Sequence, residues 1–221
     1  SGATTVSGGT LQVGAGDTID TLGSNSGTIT INNGTLAYNR SDNITVTNVI
    51  AGNGALTQMG AGTTTITADN TYSGATNITA GRLKITGGST STNAMNVSSG
   101  ATLELAIASG SFNTWRSNIT YTGNGTIEKT GAGSASLHDA AGATMNLGAD
   151  AQIRVLEGNL FLHYGTNGNW SNNQSDLYIA SGAAFRMWDA TNVRMGALTG
   201  SGSFYRGDST WGYNVNNVAT L

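Results

Sequence analysis

The residues of this sequence that most clearly suggest a chemical role are aromatic ones that lie close to arginine and histidine. The chain has 15 aromatic residues, and all except Tyr38 and Tyr72 lie from Phe112 onward. Aromatic ring faces pack on the C–H faces of sugars, while polar neighbours meet the hydroxyl groups. Exposed aromatics rimmed by polar groups are typical of a contact surface. The clustering therefore predicts a polysaccharide-binding surface in the second half of the chain.

A period of two in several segments separates inward from outward side chains. Aligning these segments by their apolar anchors predicts a set of outward-facing side chains. They are Phe161, Arg186 and Tyr205 in one column, His163 and Trp188 in the column beside it, and Tyr178 on a preceding strand. Trp188 next to Arg186 is the leading candidate for a carbohydrate contact.

Three more tryptophans lie in polar segments and complete the predicted binding residues: Trp115, Trp170 and Trp211. Each has an alternative role, because a loop tryptophan also folds back as a cap over a neighbouring rung.

Carboxylates suited to catalysis are sparse. Hydrolysis of a glycosidic bond needs two carboxyl groups about 5 to 9.5 Å apart, and the second half contains no Asp-Asp or Asp-x-Asp pair. Only Asp189 and Asp208 follow their strands at similar places and could be brought together. We predict a non-catalytic protein with no catalytic residues, and a β-helical lyase or hydrolase is the third-ranked hypothesis.

A metal or cofactor is not expected either. The chain has no cysteine and two histidines, and His138 and His163 alone do not make a metal site. The Gly-rich strings are not followed by a helix, as a nucleotide loop would require.

Composition excludes further classes of function. The net charge is −3 with nine basic residues, which gives no basic patch for nucleic acid. No run of 18 apolar residues is present to insert into a membrane. Residues 1–6 do not form a signal peptide, so we expect a module taken from a longer exported protein.

A repeat runs the whole length of the chain. Its unit is an apolar-x-apolar pair, a short Gly-containing turn and a second such pair, as in VSGGTLQV (6–13) and ITINNGTL (29–36). A longer variant at 52–67 returns at 123–137. The second-strand anchors are Leu11, Leu36, Leu56, Leu83, Leu103, Ile127, Leu160, Phe185 and Phe204, with an extra rung expected around Ile153.

The internal period of two indicates strands, and anchor spacings on the order of 20–25 residues are typical of a β-solenoid. Strands stacked about 4.8 Å apart would share one core and form Asn and Thr ladders. We predict an all-β fold, a single-stranded right-handed parallel β-helix of roughly 8–10 rungs. It would form one domain over 1–221, with an aliphatic half (1–110) and an aromatic-rich half (111–221). An antiparallel sandwich is the alternative.

Residues 70–85, NTYSGATNITAGRLKI, together with GAGTTTIT at 60–67, resemble the autotransporter-associated β-strand repeat. The resemblance implies a right-handed β-helix exported by a Gram-negative or related bacterium, and it implies no single activity. The architecture and aromatics are more loosely similar to β-helical carbohydrate-binding modules of bacterial plant-wall-degrading enzymes.

Two hypotheses lead. The first is a secreted or surface-located carbohydrate-binding module for a xylan-like β-glycan, tethered to a catalytic domain in its parent chain. The second is a fragment of an autotransporter passenger that acts as an adhesin or surface stalk. A glycoside hydrolase domain in the parent would favour the first, and an outer-membrane barrel the second.

Overall fold

Short strands alternate with Gly-containing corners along the described chain. The computed structural model describes residues 2–20, 22, 27–86, 92–114, 119–137, 143–162, 169–187, 193–206 and 218–220. These residues contain no helix, and so none long and apolar enough to cross a membrane.

The strands recur in a fixed order and build three faces of a prism. The first face contains β2 (Gly9–Asp17), β4 (Gly34–Arg40), β7 (Ala55–Gln58), β9 (Thr76–Ile78), β11 (Ala94–Val97), β14 (Ile119–Gly123) and β17 (Ala143–Leu147). The second face contains β5 (Ile44–Val46), β8 (Thr63–Ile66), β10 (Arg82–Ile85), β12 (Thr102–Ala106), β15 (Thr126–Thr130), β18 (Gln152–Val155), β20 (Asp176–Ile179) and β22 (Leu198–Gly200).

The third position in the turn is occupied by two separate sheets, which we call the third face. One sheet contains β1 (Thr4–Val6), β3 (Ile29–Ile31) and β6 (Ile50–Gly52). The other contains β13 (Phe112–Thr114), β16 (Ser134–Ser136), β19 (Asn159–Leu162), β21 (Ala184–Met187), β23 (Ser203–Arg206) and β24 (Val218–Thr220).

Stacking is parallel and in register, which confirms the predicted solenoid fold. Leu36 pairs with Leu56 on the first face, and Ile127 pairs with Ile153 on the second. The final pairing, β23 with β24, is antiparallel. Eight described strands stack on the second face over about seven turns, at the lower end of the expected rung number. The extra rung expected around Ile153 is β18.

The core is the column of inward side chains that stacking creates. All the predicted anchors except Leu11 and Phe204, which are partly buried, are almost fully buried: Leu36, Leu56, Leu83, Leu103, Ile127, Leu160 and Phe185. Complete burial of one such side chain contributes about 2 kcal/mol. Register partners such as Leu103 and Ile127 give apolar contact between turns, whereas Leu56 and Leu83 each have a buried threonine, Thr76 and Thr64, as a partner on one side.

Asparagine ladders join successive turns, as the sequence predicts. The Asn96 side-chain amide donates to Asn77 Oδ1 at 2.7 Å. Asn53 donates to Asn33 Oδ1 at 3.0 Å. These bonds satisfy polar side chains without placing like charges over one another.

Glycine is required where corners of neighbouring turns touch. A Cβ on Gly62 would lie 1.9 Å from the carbonyl oxygen of Asp42, and one on Gly123 would lie 2.0 Å from that of Val97. Gly123 also has a φ of 108°, which side chains on L-residues rarely adopt. The glycines at these corners therefore leave no room for a side chain between neighbouring turns.

The long repeat variant serves two different corners. At 52–67 it forms β7 and β8 and turns from the first face to the second, whereas at 123–137 it forms β15 and β16 and turns from the second to the third. Equivalent positions two residues before each Gly-Ala-Gly are Gln58 and Lys129, and both are buried.

Both side chains bind the carbonyls of their own corner. Gln58 Nε2 donates to the carbonyl oxygens of Gly60 at 2.8 Å and Gly62 at 3.2 Å. Lys129 Nζ donates to those of Thr130 at 2.8 Å and Gly131 at 2.6 Å. Burial lowers the pKa of Lys129 to about 8, although Glu157 acts in the opposite direction.

Because the pKa of Lys129 is lowered in the folded chain, the free energy of unfolding should vary with pH in the alkaline range. Above about pH 8 the folded chain releases this proton, but the unfolded chain holds it up to about pH 10.4. The unfolded state then binds more protons, so the free energy of unfolding should rise with pH. We expect urea denaturation from about pH 7 to about pH 9.5, below the ordinary tyrosine range, to show this rise.

In Lys129→Gln the rise in the free energy of unfolding should be absent, because the titrating amine is gone. The variant should still fold, since Gln58 shows that glutamine fits this kind of corner. Lys84→Gln, which removes the chain's other lysine, should keep it. Equal pH profiles for the parent chain and Lys129→Gln would contradict this account.

Candidate functional site

Three of the predicted binding residues form a continuous outward column on the third face. Phe161 of β19 pairs with Arg186 of β21, which pairs with Tyr205 of β23. All three side chains are half-buried. We call these residues the aromatic column; its register is the one predicted from the sequence, and its binding role stays a prediction.

Arg186 holds the aromatic column together. Its guanidinium carbon lies 4.3 Å from the ring centroid of Tyr205 and 5.8 Å from that of Phe161. Its Nε donates to Asn159 Oδ1 at 2.8 Å. Cation–π attraction and this hydrogen bond fix the side chain, so the column is a preformed surface rather than three independent residues.

Tyr178 lies on the second face and not beside the aromatic column. It belongs to β20, where it pairs with Arg154 and Thr199. Its side chain is 37% exposed, and the Arg154 guanidinium carbon lies 5.6 Å from its ring centroid. The predicted aromatic residues are therefore divided between two faces of the prism.

Trp170 was expected in a polar binding loop, and this expectation is wrong. Its side chain is 1% exposed and packs edge-on against Phe185, with ring centroids 6.1 Å apart. The bridge between Asn169 and Thr144 places Trp170 over Met145 in the core. The adjacent Asn169 and Ser171 are exposed, while the indole fills an inward position.

The burial of Trp170 also corrects the argument from aromatic clustering. Tyr121 and Phe185 are fully buried too, and Phe204 stacks on Phe185 with centroids 5.7 Å apart. The second half of the chain thus uses aromatic rings to fill its core, so their number there does not by itself indicate a binding surface.

Other predicted residues lie outside the described part of the chain: the binding candidates Trp115, His163, Trp188 and Trp211, the histidine His138, and the carboxylate pair Asp189 and Asp208. Within the described ranges, no three acidic or histidine side chains are grouped to hold a metal ion.

A row of charged side chains on the second face was not predicted. We call it the charge ladder, and its members in register order are Lys84, Glu104, Glu128 and Arg154. Sequence reasoning assumed that stacked like charges would repel one another, yet Glu104 and Glu128 are direct register partners.

Cations on the same face make this stack of carboxylates stable. Arg82 Nη1 lies 2.9 Å from Glu104 Oε2 and 2.6 Å from Glu128 Oε2. Lys84 Nζ lies 3.1 Å from Glu104 Oε1, and Arg154 Nη1 lies 3.0 Å from Glu128 Oε1. Each carboxylate therefore contacts two cations, and both side chains are only 8% exposed.

The charge ladder keeps Glu104 ionised. Burial acts to raise its pKa, but hydrogen bonds from Thr130 and Lys84, and the charges of Lys84 and Arg82, outweigh burial and lower it. A carboxyl group with a lowered pKa holds no proton to donate at neutral pH. Glu104 is therefore not suited to act as the general acid that a glycosidase needs.

Comparison with protein families gives a match in two segments of the chain. Residues 1–13 and 56–85 match the family model of the passenger-associated-transport repeat. The longer match runs through β7, β8, β9 and β10, and the shorter covers β1 and the start of β2. Searches of curated proteins and of solved structures found no significant match.

The match confirms the resemblance seen in residues 60–85. With the parallel solenoid of about seven turns, it fits an autotransporter-associated β-helix. Such repeats belong to autotransporter passenger domains, which implies a secreted or surface location.

The charge ladder predicts loss of stability in acid. The pKa of Glu104 is lower in the folded chain than in the unfolded chain, where it is about 4.3. Its contribution to the free energy of unfolding is therefore fully present above about pH 4.3 and is lost as the pH falls through the pKa of the folded chain. We expect Glu104→Gln to cost about 1–3 kcal/mol at neutral pH. Its free energy of unfolding should also fall less than that of the parent chain between about pH 5 and about pH 3.

Urea denaturation across this pH range measures both effects. Asp150→Asn, which removes an exposed carboxylate outside the charge ladder, serves as the control and should retain the parent pH profile. An unchanged acid slope in Glu104→Gln would show that the ladder does not stabilise this carboxylate.

Proposed function

We propose that this chain is a section of an autotransporter passenger β-helix, which acts outside the cell as a surface stalk or adhesin segment. The observation that carries the proposal is the match of residues 56–85 to a passenger-associated-transport repeat. These residues form a complete turn of the solenoid, because Leu56 and Thr76 are register partners.

The architecture supports a rod-like role. Each turn bonds to the turns before and after it, so stability is a sum of neighbouring contacts and length is gained by adding turns. Folding of such arrays propagates from turn to turn. A passenger that emerges progressively at the cell surface could fold by that route.

A deletion in register tests the contribution of the matched turn to export. The chain would be placed between a signal peptide and an autotransporter outer-membrane barrel in a Gram-negative host. Deletion of 57–76 joins Leu56 to Asn77 and removes one turn without changing register. We expect this deletion to lower the surface-exposed fraction severalfold, as measured by protease accessibility in intact cells.

The chain offers a matched control. Deletion of 104–127 joins Leu103 to Glu128 and also removes one turn in register. It leaves one glutamate in the charge ladder, between Lys84 and Arg154, and it should be exported like the parent chain. Equal surface fractions for the two deletions would contradict a transport role for the matched turn. Failure of the parent chain to reach the surface would overturn the passenger proposal.

A second candidate function is non-catalytic binding of a xylan-like β-glycan by the aromatic column. The observation in its favour is the fixed outward alignment of Phe161, Arg186 and Tyr205. Half-buried rings on neighbouring strands offer flat apolar area, and Asn159 adds a hydrogen-bonding edge. In this case the parent chain would carry a catalytic domain that gains from being held near its substrate.

Affinity electrophoresis tests this candidate with xylan, mixed-linkage glucan, mannan and pectin. We expect retardation by xylan, a severalfold weaker effect in Tyr205→Ala, and no released sugar. Thr30→Ala, on the third face of the aliphatic half, is the control and should bind like the parent. Unchanged mobility on every glycan would exclude the candidate, and released sugar would overturn its non-catalytic part.

A further inference from the structure

A groove lies near the last described strands of the second face, away from the aromatic column. It is lined by Gln152, Arg154, Asp176, Tyr178 and Thr199, and its volume is about 390 Å³. Ligand sites in proteins measure about 300–1,000 Å³, so this groove is at the small end of that range. The space suits one or two sugar rings rather than an extended chain.

A change in side-chain size along one register row creates the groove. Arg154, Tyr178 and Thr199 follow one another in that row. The first two side chains are large and the third is small, and Thr199 and the neighbouring Gly200 are exposed. The tyrosine ring therefore forms the wall of a step whose floor is β22.

Two of the polar groups around the step, Arg154 and Asp176, are held in place before any ligand arrives. Arg154 is fixed by Glu128 at 3.0 Å and by the ring of Tyr178. The Asp176 carboxylate accepts the backbone N–H of Ala197 at 2.7 Å. Preformed polar groups lower the entropic cost of binding.

The charges in the groove indicate what kind of ligand it accepts. Arg154 and Asp176 carry opposite charges, and Arg154 is already paired with Glu128. An anionic ligand would meet Asp176, and the described residues that line the groove include no unpaired cation to compensate, because the guanidinium is shared with Glu128. A neutral ligand rich in hydroxyl groups meets donors and acceptors of both kinds.

We propose that this groove binds one or two rings of a neutral saccharide, with Tyr178 as the stacking wall and Arg154, Asp176 and Gln152 as hydroxyl partners. Tyr178 supplies an apolar face, while the other side chains surround it with planar hydrogen-bonding groups. The site is on a different face from the aromatic column, and it depends neither on that candidate nor on the passenger role.

Two-dimensional amide NMR of the whole chain tests the proposal with three probes: xylotriose, cellotriose and trigalacturonate. We expect a neutral trisaccharide to shift the amide signals of 152–154, 176–178 and 198–200 in a saturable manner. Tyr178→Ala should weaken this binding at least about tenfold. Thr199→Tyr, which fills the step without removing any contact group, should abolish it. The spectra themselves report whether each variant is folded.

Two further variants separate the proposal from its neighbours. Tyr205→Ala, in the aromatic column, should leave these shifts unchanged. Asp176→Asn keeps an oxygen for the N–H of Ala197 but removes the negative charge, so it should gain binding of trigalacturonate relative to the parent chain.

Three results would overturn the proposal. One is the absence of shifts at millimolar neutral saccharide. Another is a set of shifts confined to residues of the third face and lost in Tyr205→Ala, which would support the aromatic column instead. The last is binding of trigalacturonate by the parent chain as tight as that of the neutral probes.

Discussion

Parallel backbone pairing between successive turns is the constraint on which every other feature depends. Each strand both donates to and accepts from the turns before and after it, so a residue has the same place in its turn as its register partner. Side chains are thereby sorted into columns that are wholly inward or wholly outward. Inward columns become core, as with Leu36 and Leu56. Outward columns become surfaces in which neighbouring residues come from segments about a turn apart in sequence.

This sorting explains which features the sequence could predict. A period of two and the repeated anchors identify strands and their inward residues, since both depend only on local spacing. The alignment of Phe161, Arg186 and Tyr205 was predictable because three similar strands carry anchors at the same offset. The charge ladder lies at the same offset, since its members directly follow Leu83, Leu103, Ile127 and Ile153. It was missed because stacked like charges were assumed to repel, and spacing alone does not show that Arg82 contacts both glutamates. Trp170 was misassigned because its polar neighbours concealed a short inward rung.

The outer faces of the prism are chemically different. The second face combines a compensated charge ladder with a small polar groove beside Tyr178, and the third face presents a cation held between two rings. A fold that serves only as a spacer does not require such differences between faces. The proposed stalk role and a contact with saccharides are compatible, because the core columns carry the rod and the outward columns remain free to vary.

The use of one motif at two corners has a consequence for how such a chain can lengthen. Residues 52–67 and 123–137 have the same pattern but begin on different faces. The corner is therefore a self-contained unit, with its glycine contacts and its own carbonyl-binding side chain, Gln58 or Lys129. A duplicated segment therefore need not contain a whole number of turns. If its end lies on the next face of the prism, the same corner motif can connect it to the strand that follows. Genetic recombination within this coding sequence thus has more than one permitted phase per turn, since the motif fits at least two of the three corners.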